Sequence, residues 1–210
     1  MATNFAQVLP PRQPIAIIRL DDLSEALRLC RALLDGGITR LEFTLTNKKA
    51  LDALIAARSA FGESLVIGVG TVLDAENARA SIQAGAQFLV TPALLPDVID
   101  VANSEQIPIA CGAYTPTEIL TAWRRGADLV KVFPASQLGP GYIKEVLAPL
   151  PDLRLVPTGG VNLETCAAFL KAGAYTVAAG GQLVRKDLVR DKNWQALTDL
   201  ARRYVQACTG

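Results

Sequence analysis

Short runs of aliphatic and β-branched residues alternate along this chain with longer segments whose apolar positions recur at helical spacing. The runs at 14–20, 39–45, 65–70, 86–91, 107–112, 127–133, 153–159 and 174–180 read as eight strands. Between them stand amphipathic patterns such as DLSEALRLCRALLDGG, DAENARASIQAGA, TPTEILTAWRRGA and NLETCAAFLKAGA. Asp22, Asp74, Thr115 and Asn162 occupy the positions where helix N-caps belong. A common joint recurs where helix gives way to strand: LDGGITRLEF, IQAGAQFLV, WRRGADLVKV and LKAGAYTVAA. In each, a glycine sits where the chain leaves a helix through a left-handed residue, and a strand begins shortly after. Strand–helix alternation predicts a parallel sheet covered by helices. Eight repeats of the unit predict closure into a single (β/α)8 barrel of the TIM type over 1–210, with a short N-terminal extension before the first strand. No G-x-G-x-x-G follows the first strand, which disfavours a dinucleotide-binding sheet.

Composition narrows the chemistry. Half of the 210 residues are apolar, enough for a large core, and 21 basic against 20 acidic side chains leave a formal charge of +1. That balance offers nothing to attract nucleic acid or an anionic membrane, so both are set aside as partners. No apolar run approaches the roughly 20 residues needed to cross a bilayer, and the first residues, MATNFAQVLPPRQP, lack the regions of a signal peptide. A cytoplasmic location is expected. The four cysteines, Cys30, Cys111, Cys166 and Cys208, are widely spaced and form no C-x-x-C pair; they read as small core residues. The chain has no histidine, so a Cys/His zinc site is not expected and no Ser-His-Asp or Cys-His arrangement exists. Proton transfer near neutral pH falls to a carboxylate, a lysine, a tyrosine, a thiol or water.

In a (β/α)8 barrel the site lies at the C-terminal ends of the strands. The polar residues found there are Arg19 after strand 1, Glu42 and Thr44 in strand 2, Gly70-Thr71 after strand 3, Thr91-Pro92 after strand 4 and Lys131 before Phe133-Pro134 in strand 6. Strands 7 and 8 end in PTGG (157–160) and AAGG (178–181). Lys131 and Glu42 stand out as ionisable residues inside apolar runs. If Val130, Val132, Leu41 and Phe43 face the helices, alternation turns Lys131 and Glu42 into the barrel. One reading is a structural Lys–Glu ion pair, a weak stabiliser that needs further hydrogen bonds. The other is chemical: burial, together with the like charge of Arg19, favours the free amine of Lys131, a nucleophile for a ketone. Glu42 is then the available acid/base. Glycine pairs after strands 7 and 8 match the places where this fold binds phosphate, although each can equally be a tight turn. Trp123, Trp194 and Tyr204 lie in helical patterns and read as packing residues, and the basic clusters at 124–126 and 184–190 as solvated faces.

Nearly the whole chain resembles the bacterial 2-keto-3-deoxy-6-phosphogluconate (KDPG) / 4-hydroxy-2-oxoglutarate (KHG) aldolases, including their 6-phosphogalactonate branch. The resemblance is carried by PIAIIR, GGITRLEFTL, IGVGTVL, FLVTP, ADLVKVFPAS, GPGYIK and PTGGVN. It implies a class I aldolase with a (β/α)8 fold, without metal or other cofactor, commonly a homotrimer. It also implies Lys131 as the Schiff-base lysine and Glu42 as the acid/base. Thr71 would hold the pyruvoyl carboxylate. Arg19, Thr91 and Pro92 are further candidates for the substrate's carboxylate and hydroxyls. Phe133 fits either over the enamine or in the core. Thr158, Gly159, Gly160, Gly180 and Gly181 are candidates for phosphate. The chain departs from the family in three places: Thr46 stands where gluconate-type members carry arginine, Cys111 where many have proline, and Gly181 where many have serine. An arginine ending strand 1, as Arg19 does, is a trait of the galactonate branch and suggests that Arg19 takes over the missing arginine's role. Phosphate-binding transferases or epimerases on the same scaffold form the alternative, but they need a carboxylate cluster or a metal that the strand ends do not supply. A non-catalytic module would be expected to lack Lys131 or Glu42.

Overall fold

The computed structural model describes residues 5–210; residues 1–4, the start of the expected N-terminal extension, lie outside the described residues. Eight strands form: β1 Ile15–Ile18, β2 Arg40–Thr44, β3 Val66–Gly70, β4 Leu89–Val90, β5 Ile109–Ala113, β6 Leu129–Val132, β7 Leu155–Pro157 and β8 Ala178–Ala179. They pair in parallel in the order β7-β6-β5-β4-β3-β2-β1-β8. A parallel bridge between Thr158 and Ala178 joins the two ends and completes the ring. The helices are α1 Phe5–Val8, α2 Ala26–Asp35, α3 Ala50–Phe61, α4 Ala75–Gln83, α5 Pro96–Ser104, α6 Pro116–Arg124, α7 Gly139–Leu147, α8 Leu163–Lys171, α9 Lys186–Arg190 and α10 Trp194–Thr209. The chain is a (β/α)8 barrel, as the alternation of patterns predicts.

The sequence signals for helix ends hold at most positions. Asp74 accepts from the Asn77 amide, and Thr115 and Asn162 each close a reciprocal capping box. Gly37, Gly85, Gly126 and Gly173, one in each recurring joint, all have positive φ, a conformation that glycine adopts without a Cβ clash. Asp22 is the exception. Its carboxylate turns back on Ser24, accepting from the backbone amide at 2.8 Å and the hydroxyl at 2.9 Å. That local turn delays α2 to Ala26, after an N-cap at Glu25 with no side-chain bond. The ladders of β4 and β8 are also shorter than the apolar runs around them. In the first case the Thr91 amide still bonds to the Ala110 carbonyl, and Pro92, next in line, has no N–H to continue the ladder.

Alternation sorts the core into two groups. Outward residues such as Leu41, Phe43, Val69, Cys111, Val130 and Val132 pack under the helices. Inward residues, Ile15, Ile17, Phe88, Val90, Ala110, Leu129, Val156 and Ala178, fill the barrel together with Val8 and Leu9 from the N-terminal segment. Arg40 ties that segment to the start of β2, donating to the carbonyls of Val8 and Gln7 at 3.0 and 2.9 Å. The extension is thus a plug for the N-terminal end of the barrel. This leaves the opposite end to carry a site. All four cysteines are buried free thiols. Among the described residues no helix is long and apolar enough to cross a membrane.

Candidate active site

Glu42 and Lys131 both belong to the inward set. Their strand neighbours Leu41, Phe43, Val130 and Val132 are all in the helix-facing core, so alternation turns the two ionisable side chains into the barrel. Lys131 is 7% exposed and Glu42 1%. They form no direct ion pair among the described salt bridges, so the structural tie considered from sequence is not made. Burial pushes the Glu42 carboxyl above the usual glutamate range, while the charges of Lys131 and Arg19 pull it the other way. The Lys131 side chain shares the barrel interior with it.

Phe133 lies in neither core cluster. Its ring is half-buried, with the Lys131 Nζ 5.1 Å from the ring centroid. On its other side lies the turn after β7, where a Cβ on Gly159 would come within 3.2 Å of the ring. Gly159 and Gly160 have φ of 89° and 74°. Their amides donate to no protein acceptor among the described residues. Two adjacent free N–H groups on left-handed residues form a small anion-binding concavity. Asn162, two residues later, caps α8. Thr158 is less available: it is 2% exposed and its hydroxyl donates to its own strand at Val156 O, 3.2 Å away.

Thr71, just past β3, takes φ of 59°. A β-branched residue in the left-handed region is an outlier of the kind that concentrates at functional sites. Thr91 has a different part. Fully buried, it donates its hydroxyl to Ala93 O at 2.7 Å and accepts from the Gly112 amide at 2.9 Å. With its proton committed there, it braces the ends of β4 and β5 beside Pro92, and Gly112 is the register partner of Lys131.

Arg19 is exposed and opens onto a cleft of about 690 Å³ over the ends of β8, β1 and β2, lined also by Thr46, Lys48, Lys49, Gly181 and Lys186. Lys186 is held at 2.7 Å from Asp21 on the cleft wall. Asn47 pins the loop after β1 by donating to the Leu20 and Asp21 carbonyls, both at 3.0 Å. Gly180 and Gly181 leave room for a side chain: an added Cβ would meet nothing nearer than Ile17 at 3.9 Å at the first and nothing within 4 Å at the second. Gly181 borders the cleft, and neither is forced to be glycine by packing. Lys186 belongs to this mouth although its basic cluster reads, in sequence, as a solvated face. Gly70 is legible in sequence only as the end of a strand; the signal for a larger part is its parity with Glu42 on the neighbouring strand.

Comparison with known proteins identifies the family of the chain. The family model for KDPG and KHG aldolase matches residues 6–200. The chain belongs to that family. It is 34% identical over 202 residues to the 2-dehydro-3-deoxy-phosphogluconate aldolase of Pseudomonas aeruginosa, covering 96% of this chain and 89% of that one. It is also 34% identical over 194 residues to the 2-dehydro-3-deoxy-6-phosphogalactonate aldolase of Escherichia coli, covering 92% and 95%. Among solved structures, a native KDPGal structure superposes with a TM-score of 0.86 at 33% identity, covering 92% of this chain and 93% of that chain. The KDPG aldolase of Legionella pneumophila, with pyruvate captured as a covalent carbinolamine, does so with a TM-score of 0.86 at 27% identity, covering 95% and 97%. Both branches of the KDPG and KHG aldolase family are thus represented at similar identity.

Proposed function

We propose that this chain is a class I aldolase that cleaves a 2-keto-3-deoxy-6-phospho sugar acid to pyruvate and glyceraldehyde 3-phosphate, or 4-hydroxy-2-oxoglutarate to pyruvate and glyoxylate. The observation that carries the reading is a buried lysine and a buried carboxyl facing one barrel mouth without neutralising each other in an ion pair. Lys131 Nζ attacks C2 of the keto acid, and Glu42, directly or through a water, moves the protons that turn the carbinolamine into an imine and release water. The protonated imine draws electrons from the C3–C4 bond as the C4 hydroxyl gives up its proton to Glu42. The aldehyde departs. The enamine left on Lys131 is protonated at C3, and water releases pyruvate and restores the amine.

Thr71 and Arg19 are assigned to the keto-acid carboxylate and a hydroxyl, with Phe133 packed beside the reacting carbons and Thr91 and Pro92 shaping the opposite wall. The free amides of Gly159 and Gly160, with Thr158, Gly180 and Gly181 around them, are assigned to the phosphate. The basic side chains lining the cleft beside Arg19 favour an anionic distal end on the substrate. The chemistry needs no metal or other cofactor, and we place the enzyme in the cytoplasm as a homotrimer.

Borohydride reduction in the presence of pyruvate is the direct test. A single pyruvyl adduct on the peptide containing Lys131, absent from a folded Lys131→Ala variant, is expected. No adduct on folded wild-type protein would falsify the class I reading. Initial rates on the gluconate and galactonate epimers and on 4-hydroxy-2-oxoglutarate then assign the substrate, with Arg19→Ala expected to weaken the preferred epimer most.

A further inference from the structure

Strand β3 presents two glycines to the barrel interior, and neither is there for its backbone conformation. Gly68 and Gly70 lie within a regular parallel ladder, and neither is among the residues of positive φ. What they supply is space. A Cβ on Gly68 would come within 2.5 Å of the Phe88 ring. A Cβ on Gly70 would overlap Oε1 and Cδ of Glu42 and lie 2.8 Å from its Cγ. In register, however, Glu42 is opposite Gly68, and it is Thr44 that is opposite Gly70. The Glu42 side chain therefore leans along the sheet toward the barrel mouth and lies flat on the bare backbone of the neighbouring strand. Phe88 already fills the space over Gly68, and Glu42 is 1% exposed. The carboxyl has one seat.

We propose that Gly70 is the positioning residue for Glu42: its missing side chain holds the acid/base at the height in the barrel where it can serve the Lys131 adduct. This rests on the aldolase reading for its consequence in catalysis, but the seat itself is a packing statement that can be tested apart from it. An alanine at 70 fits the backbone and displaces the carboxyl. Lys131 keeps its place as the nucleophile, while the proton transfers that Glu42 serves, in imine formation and in cleavage, suffer.

The experiment is a cycle of Gly70→Ala and Glu42→Ala, read by steady-state kinetics and thermal unfolding. Gly70→Ala alone is expected to lower kcat by about 10²-fold, in the range lost with a positioned general acid/base, with KM changed by less than about threefold. In the Glu42→Ala background the same substitution should change neither kcat nor Tm, because the group it displaces is gone. A Gly70→Ala enzyme with wild-type kcat would overturn the proposal. So would a Tm loss as large in the Glu42→Ala background as in wild type, since that would show Gly70 packing against something else. Should Gly70→Ala fail to fold alone, recovery of folding in the double variant supports the seat and failure of both overturns it. A wild-type enzyme that cleaves none of the keto acids defeats the aldolase reading and leaves the stability arm of the cycle to decide the packing claim.

Discussion

Glu42 carries a cost that the fold accepts for the sake of the site. Burial raises its carboxyl above the 4.5 of a free glutamate, with the Lys131 and Arg19 charges offsetting this in part. Between the unfolded and the raised folded pKa, the folded chain binds more protons than the unfolded one, so stability falls as pH rises through that window. Below it both states are protonated and the penalty vanishes. Glu42→Gln, a neutral shape mimic, should therefore match wild type in urea unfolding near pH 4. It should exceed wild type at pH 8, by about 1.4 kcal/mol for every tenfold by which burial weakens the acid, while losing most activity. Equal stability at both pH values would mean that Lys131 and Arg19 compensate the charge fully.

The elements place these residues through their ends. Each recurring glycine joint sets a strand going after a helix, and each N-cap fixes where the loop above the barrel stops. The most consequential is Asn162, whose Oδ1 accepts from the Glu164 and Thr165 amides at 3.0 and 2.9 Å while Thr165 Oγ1 accepts from the Asn162 amide at 3.0 Å. It anchors the Gly159–Gly160 turn to α8. Asn162→Ala should cost about 1 kcal/mol of stability by denaturant titration. It should also raise KM for a phosphorylated substrate several-fold while leaving KM for 4-hydroxy-2-oxoglutarate nearly unchanged. A uniform rise in both would move the phosphate elsewhere. At this scale the sequence was largely legible, because caps and left-handed glycines are decided by local chemistry. Asp22 misled because a turn two residues long competes locally with the cap.

At the scale of the whole molecule, the barrel works because its two ends differ. Val8 and Leu9 seal the bottom against Ile15, Ile17 and Phe88, with Arg40 bonded to the plug's carbonyls. Leu9 is 1% exposed, and Leu9→Ala should cost about 2–5 kcal/mol, the range for a buried leucine. The measured Tm should fall accordingly, with pyruvate trapping on Lys131 intact below the new transition. A change of less than about 0.5 kcal/mol, the usual size for a surface substitution, would show that the plug is dispensable. The top stays open, and Arg19, Lys48, Lys49 and Lys186 line the cleft there, the rim proposed above to receive an anionic substrate.

The sequence by itself determined the alternation of eight strands with helices, the inward parity of Glu42 and Lys131, and the glycines that can turn left-handed after β7. All of these follow from periodicity two, periodicity near 3.6 and single-residue conformational preference, which act over a few neighbours. Only the tertiary structure decided that Phe133 leans over Lys131, that the Thr91 and Thr158 hydroxyls are committed to backbone carbonyls, and that the N-terminal segment plugs the barrel. The tertiary structure likewise decided that Glu42 rests on Gly70. Each of these depends on which residues of different strands meet at one height and on which way a side chain leans. That information is set when the sheet closes and is absent from any one strand.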